Sequence, residues 1–304
     1  VVVHGGGPQI GALMDRLGIV SEFRDGLRVT DAETLDVARM VLVGKVNREI
    51  VSGINRHGPL AVGLSGEDAG LIQASARDPE LGFVGDVESV NPAIIERLLA
   101  EDLIPVVSTI GVDLSGQAYN INADTVAAAV AGALGAERIL YLTDVEGLLA
   151  DVGDPASRIS RIDLSGLADL TADGTISGGM IPKVQACIDA VESGVGSAHM
   201  VDGRIPHVLL LELFTDMGIG TMVLPDGGVA ADGRGVDGVH ACPWPPPIRS
   251  SGTAGNGGPT PSWATTAFRR SPSSGARVPS CSTTPESGIW TSSAAWPSPA
   301  WATP

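Results

Sequence analysis

The stretch Val1-Val2-Val3-His4-Gly5-Gly6-Gly7-Pro8-Gln9 decides the fold. Three β-branched residues in succession fit a strand covered on both faces, which needs no polar alternation. Gly5-Gly6-Gly7 permits a tight turn and close backbone approach, and Pro8 suits the first turn of a helix, predicted from Pro8 to Leu17. Strand, glycine loop and helix start together present N–H groups where an anion can sit. A tight strand-to-helix turn uses the same glycines for structural reasons alone, so the loop needs companions before it assigns a chemistry. It is not a Walker loop, because no Gly-Lys-Ser/Thr follows, and its spacing is not the dinucleotide G-x-G-x-x-G.

Outward from this loop, strand and helix patterns alternate. Asp25-Gly26 signals a turn, with Leu27 to Val29 as half of a hairpin. Thr30 or Asp31 caps a long amphipathic helix running to about Ile54, in which Leu35, Ala38, Val41, Leu42, Val46 and Ile50 keep a 3.6-residue period. Strands are predicted at Leu60 to Leu64, Ile104 to Ile110, Ile139 to Leu142, Ala198 to Val201 and Gly220 to Leu224. Helices are predicted at Asn91 to Leu99, Asn122 to Leu134, Met180 to Glu192 and Pro206 to Phe214. Such alternation implies an α/β fold, a mostly parallel central sheet covered by helices on both faces. Ligands are expected along the edge where the strands end.

The chain of 304 residues carries a formal charge of −16, which argues against nucleic acid or an anionic membrane as partner. Cys187, Cys242 and Cys281 show neither paired nor metal-like spacing, so no metal site is expected and a reducing, cytoplasmic compartment is. No signal-peptide or membrane-span pattern is present. Near residue 227 the composition changes. All five Trp and twelve of the 21 Pro lie from Gly227 onward, where the charge is +2, which leaves the body at −18. Residues 1–226 are therefore read as the folded domain and 227–304 as a low-complexity, disordered tail. Two origins stand open for that tail: a natural extension, or translation of GC-rich DNA in a shifted frame. An intact reading frame in the coding DNA across Asp226 to Gly233 would remove the second.

Other candidates for chemistry lie at the ends of the predicted elements. In Asn120-Ile121-Asn122-Ala123-Asp124, helix capping accounts for one polar residue and leaves two for function. Lys183 is one of only two lysines, with Lys45, and lies one turn beyond Gly178-Gly179, where it could meet phosphate. Arg28, between a turn and a helix, could grip a carboxylate with two parallel hydrogen bonds.

Together the motifs resemble the amino-acid kinase family, and within it the acetylglutamate kinase branch. The resemblance rests on His4 to Gln9, Gly26 to Thr30, Ile110-Gly111-Val112, Asn120 to Asp124, Thr143 to Leu148 and Gly178 to Lys183, in the family's order over residues 1 to about 225. It implies a three-layer α/β/α sandwich, with ATP (and its Mg²⁺ counter-ion) and N-acetyl-L-glutamate as substrates and no tightly bound cofactor. By the same resemblance Gly6, Gly7, Arg28, Asn120 and Asn122 hold acetylglutamate, and Asp124 and Lys183 are catalytic. Thr143, Asp144, Gly147, Leu148, Ser177, Gly178, Gly179 and Met180 line the nucleotide site. The run from Arg204 to Thr221 resembles the arginine-inhibited branch and implies His207, Glu212 and Gly220 as effector contacts. The family forms dimers or hexamers; a dimer is the expectation here, because the N-terminal helix that links hexamers is missing. The family also places a strand ending in Lys-x-Gly-Gly ahead of the segment corresponding to Val1. On that ground the 304-residue chain is expected to be inactive or poorly folded, and normal ATP- and acetylglutamate-dependent turnover would overturn this. Glutamate 5-kinase, carbamate kinase and a non-catalytic arginine- or nucleotide-binding remnant are the alternatives.

Overall fold

The computed structural model describes residues 1–24, 26–151, 153–215 and 218–227, and the backbone of 265–269. It opens as expected: β1 (Val2–His4) runs through Gly5 and Gly6 into α1 (Gly7–Leu17). A short hairpin comes next, β2 (Phe23–Arg24) and β3 (Leu27–Arg28); Asp25 of its predicted turn lies outside the described residues. Asp31 caps α2 (Ala32–Arg39), its side chain accepting from Thr34 N at 2.8 Å. The long helix predicted here is not uniform. Met40–Val46 form a π-helical stretch before α3 (Asn47–Asn55).

The next elements are β4 (Ala61–Ser65), β5 (Ile72–Ala76), β6 (Gly85–Val90), α4 (Ala93–Ala100), β7 (Ile104–Ser108), β8 (Ile110–Val112) and β9 (Ala118–Asn120). After these come α5 (Ala123–Ala133), β10 (Arg138–Thr143), β11 (Arg161–Asp163), α6 (Leu164–Ala172), α7 (Met180–Glu192) and β12 (Ser197–Asp202). Last are α8 (Val208–Phe214), β13 (Thr221–Leu224) and β14 (Thr265–Arg269).

Eight strands form the main sheet in the order β11-β13-β12-β10-β14-β1-β7-β4. Pairs β1–β7, β4–β7, β10–β12 and β11–β13 are parallel, while β13 runs against β12 and β14 runs against both β1 and β10. A four-stranded sheet, β6-β5-β8-β9, stands apart from it. Alternation along the strands builds the three layers. On β12, Ala198 and Met200 join the apolar cluster of α4, α5 and α7, whereas Val201 packs with Val208 and Ile219 on the other side. A further cluster joins Ile10 and Met14 of α1 to Leu35, Val37 and Ala38 of α2.

The segment from residue 227 was expected to lack strand pattern, yet Thr265–Arg269 is a strand. Its sequence, Thr-Thr-Ala-Phe-Arg, supplies β-branched and aromatic residues, and β1 and β10 flank it with edges open to pairing. Everything else beyond residue 227 lies outside the described residues, Cys242 and Cys281 included. Contacts divide the chain into Val1–Ser271 and Pro272–Pro304. Among the described residues no helix is long and apolar enough to cross a membrane.

Candidate active site

The expected rim of the sheet does carry a cleft. A cavity of about 690 Å³ is lined by Gly5, Gly6, Gly7, Arg28, Asn120, Asn122 and Asp124. Gly6 has no room for a side chain: a Cβ there would lie 2.9 Å from Leu42 Cδ2 and 3.1 Å from Val46 Cγ2. The loop therefore packs against Leu42 and Val46, and Gly7 and Pro8 of the first turn of α1 line the cavity.

Arg28 reaches the cleft from the hairpin. Its Nη2 donates to Gly7 O at 3.1 Å, its Nη1 donates to Ser21 Oγ, and its guanidinium carbon lies 4.6 Å from the centre of the Phe23 ring. Phe23 faces Arg28 in the hairpin register. Burial lowers the Arg28 pKa, and Asp15 across the cavity works against that shift. A guanidinium so held is charged, stacked and partly stripped of water, which suits it to a carboxylate.

Asn120 ends β9 and donates to Thr30 Oγ1 at 3.5 Å. Asn122 caps α5, its Oδ1 accepting from Asp124 N at 2.9 Å and Thr125 N at 3.1 Å. Capping thus occupies Asn122, and the Asn120 and Asp124 side chains are left for other work. Burial raises the pKa of Asp124, opposed by the charge of Lys183 on α7. Lys183 Nζ donates to Asp144 Oδ1 at 2.5 Å, and that bond holds the Asp144 carboxyl below the usual carboxylate range. The Lys183 ammonium is thus paired with the carboxylate of the loop after β10, and its charge acts on Asp124 of α5.

A second cavity of about 460 Å³ is lined by Val145 to Leu149, Thr175, Ile176, Ser177, Met180 and Arg204. Of the expected nucleotide residues, Gly147, Leu148, Ser177 and Met180 line it, and Thr143, Asp144, Gly178 and Gly179 do not. Thr143 instead accepts from Val145 N at 3.2 Å and shapes the loop. The expected effector residues lie elsewhere. His207 is exposed and starts α8 in a left-handed conformation, φ 61°. Glu212 is buried; it bonds His199 Nδ1 at 2.7 Å and accepts from Ile219 N at 2.7 Å and Gly220 N at 3.0 Å.

Sequence reasoning did not single out Phe23, Ser21 or Arg204. Phe23 was within reach, since hairpin pairing across Asp25-Gly26 sets it opposite Arg28. Ser21 and Arg204 are placed by loop paths that no local pattern encodes.

The glycine loop, Arg28, Asn120 and Asp124 share one cavity, Lys183 lines neither cavity and pairs with Asp144, and the chain belongs to the amino acid kinase family, whose model matches residues 1–202. Among curated relatives it is 56% identical over 225 residues to the acetylglutamate kinase of Nostoc sp., covering 74% of this chain and 76% of that one. It is 54% identical over 236 residues to the acetylglutamate kinase of Moorella thermoacetica, covering 74% of this chain and 80% of that one. Among solved structures, one from Streptococcus mutans superposes with a TM-score of 0.61 at 28% identity, covering 72% of this chain and 83% of that one. The N-acetylglutamate synthase of Neisseria gonorrhoeae shares the fold, with a TM-score of 0.62 at 23% identity over 72% of this chain and 50% of that one.

Proposed function

We propose that the chain moves the γ-phosphate of ATP onto the side-chain carboxylate of N-acetyl-L-glutamate, giving N-acetylglutamyl 5-phosphate and ADP, the second step of arginine biosynthesis. The observation that carries this reading is the cavity joining the glycine loop, Arg28, Asn120 and Asp124; Lys183 on α7 is paired with Asp144. Arg28 and Asn120 hold the α-carboxylate side of acetylglutamate. Gly6 and Gly7 lie against the side-chain carboxylate and the γ-phosphoryl group. A carboxylate oxygen attacks the γ-phosphorus, the bond to the β–γ bridging oxygen breaks, and that oxygen leaves as part of ADP. Such a transfer needs in-line positioning and positive charge on the equatorial oxygens. Asp124 aims Lys183, and Lys183 with the loop N–H groups supplies that charge.

The cavity at Gly147, Leu148, Ser177 and Met180 takes the nucleotide, with Thr143, Asp144, Gly178 and Gly179 shaping its loops. Mg²⁺ enters as the counter-ion of ATP, held by the phosphates. Among the described residues no group of three or more His, Cys, Asp or Glu is placed to hold a metal. L-Arginine as inhibitor, and self-association as a dimer or hexamer, belong to the same proposal. His207 is the exposed effector candidate, while Glu212 and Gly220 are bonded to each other and shape the turn beside it.

The test measures ADP release with acetylglutamate, glutamate or carbamate as acceptor, beside calorimetric titration with ATP and acetylglutamate. Release that depends on acetylglutamate supports the reading. A preference for glutamate or carbamate replaces it with another branch of the family. Binding without turnover replaces it with a non-catalytic ligand-binding role. Arg28→Lys keeps the charge and loses the fork. It should raise the KM for acetylglutamate by roughly 10-fold, the size of one charged hydrogen bond, and leave the KM for ATP unchanged. An equal rise in both constants would remove Arg28 from the acetylglutamate end.

A further inference from the structure

His4 has no role in the chemistry derived above, yet it is fully buried at the end of β1, directly before the glycine loop. Its Nδ1 lies 3.0 Å from Gly5 O, and its Nε2 lies 3.2 Å from Asn47 Nδ2. A carbonyl only accepts and an amide NH₂ only donates, so the partners dictate the tautomer: Nδ1 carries the proton and Nε2 accepts. Burial, the largest influence on this imidazole, lowers its pKa; the bond to Gly5 O works against that shift, and nearby Arg48 adds to it. Only the neutral ring satisfies both partners.

Asn47 is equally buried, at the first position of α3 after the π-helical stretch. Its two Nδ2 hydrogens are shared among three acceptors, His4 Nε2, Val106 O of β7 at 2.8 Å and Leu64 O of β4 at 3.3 Å, and its Oδ1 accepts from Arg48 Nη2. A π turn holds one residue more than an α turn, so the next residues are rotated about the helix axis. Here two successive residues, Val46 and Asn47, are buried. A polar amide that ties β4 and β7 to an imidazole on β1 is costly to bury unless its partners are met. Gly63 on β4 makes the room: a Cβ there would collide with Asn47 Oδ1 and the Arg48 guanidinium.

We propose that His4 and Asn47 are positioning residues for phosphoryl transfer: Asn47 orients His4, and His4 pins the Gly5 peptide so that the Gly6 and Gly7 N–H groups face the cleft. The inference rests on the kinase reading for its kinetic readout. Neither side chain touches substrate; they act through the loop.

The experiment uses the full chain and three variants, His4→Ala, His4→Gln and Gly63→Ala, each checked for folding by circular dichroism. His4→Ala should lower kcat about 10–100-fold, as loss of an orienting partner does at other sites, with the KM for ATP unchanged. His4→Gln should recover most of that loss, because its amide can donate to Gly5 O and accept from Asn47. Gly63→Ala, which crowds Asn47 without reaching the loop, should fall between them. Nitrogen NMR of the imidazole should show Nδ1 protonated and Nε2 bare, and the Gly6 and Gly7 amide signals should move in His4→Ala before any ligand is added. Unchanged kcat in His4→Ala, a loss in His4→Gln as large as in His4→Ala, or a protonated Nε2 would overturn the proposal. If the unsubstituted chain shows no acetylglutamate-dependent turnover, the kinase reading fails. The imidazole tautomer and the glycine amide signals then still decide the positioning role, and unmoved amides overturn it.

Discussion

Replacing Lys183 by methionine should lower kcat for ADP formation by roughly 10²–10³, the typical loss when one preorganised charge-stabilising donor is removed. Methionine keeps most of the stem and removes the charge. Lys183 is set on α7 where its ammonium meets Asp144 and biases Asp124, so it is held in place before substrate arrives. Its side chain is 26% exposed and that of Asp144 is 69% exposed. A pair that open to water contributes at most about 1 kcal/mol to folding. The variant should therefore unfold at nearly the same urea concentration while losing rate. Arginine at this position should recover little, since a planar fork does not reproduce a compact point charge. A variant that raises only the KM for ATP, with kcat intact, would show that Lys183 binds ground-state phosphate and does not act in the transition state.

Glu212→Ala should cost about 3–5 kcal/mol of stability, at roughly 1–3 kcal/mol for each buried group left without its hydrogen bond. Both Glu212 oxygens are engaged, by His199 on one side and by the Ile219 and Gly220 N–H groups on the other. Ser197 Oγ, 3.0 Å from His199 Nε2, extends the chain. Truncation leaves these groups buried without a partner. Glu212→Gln should cost less, because an amide oxygen still accepts from the backbone. Burial opposes the Glu212 charge, but His199 and the two N–H groups outweigh it, and its pKa lies below the ordinary glutamate value. A carboxylate with a depressed folded pKa stabilises fully above its unfolded pKa and loses that contribution as pH falls through the folded value. Urea midpoints should therefore fall more steeply on the acid side for the unsubstituted chain than for Glu212→Gln. Parallel acid limbs would remove the charged form of Glu212 from the account.

The elements legible in the sequence were those whose local and tertiary demands agree. Val2–His4 and the loop after it could be read because β-branched residues followed by glycines and Pro8 admit few other conformations. The cap at Asn122 and the helix Met180–Glu192 could be read from capping and a 3.6-residue period. β5, β6, β9 and β11 gave no such signal. Strands such as Ile72–Ala76 are short and mix apolar with polar residues, and β5 meets β8 only through a pairing distant in the chain, Gln73 opposite Val112. The helix Leu164–Ala172 also went unread, since Leu-Ser-Gly-Leu-Ala-Asp carries weak propensity and a Gly in its first turn. Met40–Val46 kept the apolar period of an ordinary helix, so its π winding could not be read from spacing.

The candidate site divides in the same way. Residue type and position made the glycine loop, Arg28, Asn120 to Asp124 and Lys183 candidates, and the resemblance to the amino-acid kinase family gave them their expected roles. Bringing Gly5 to Gly7, Arg28, Asn120 and Asp124 around one cavity required the tertiary fold, which sets the ends of β1 and β9 beside the starts of α1 and α5. The same packing gave Asn47, His4 and Glu212 their tasks. Local pattern describes what a residue prefers among its neighbours in the chain, while a buried polar side chain is tolerated only where distant strands and turns bring it partners.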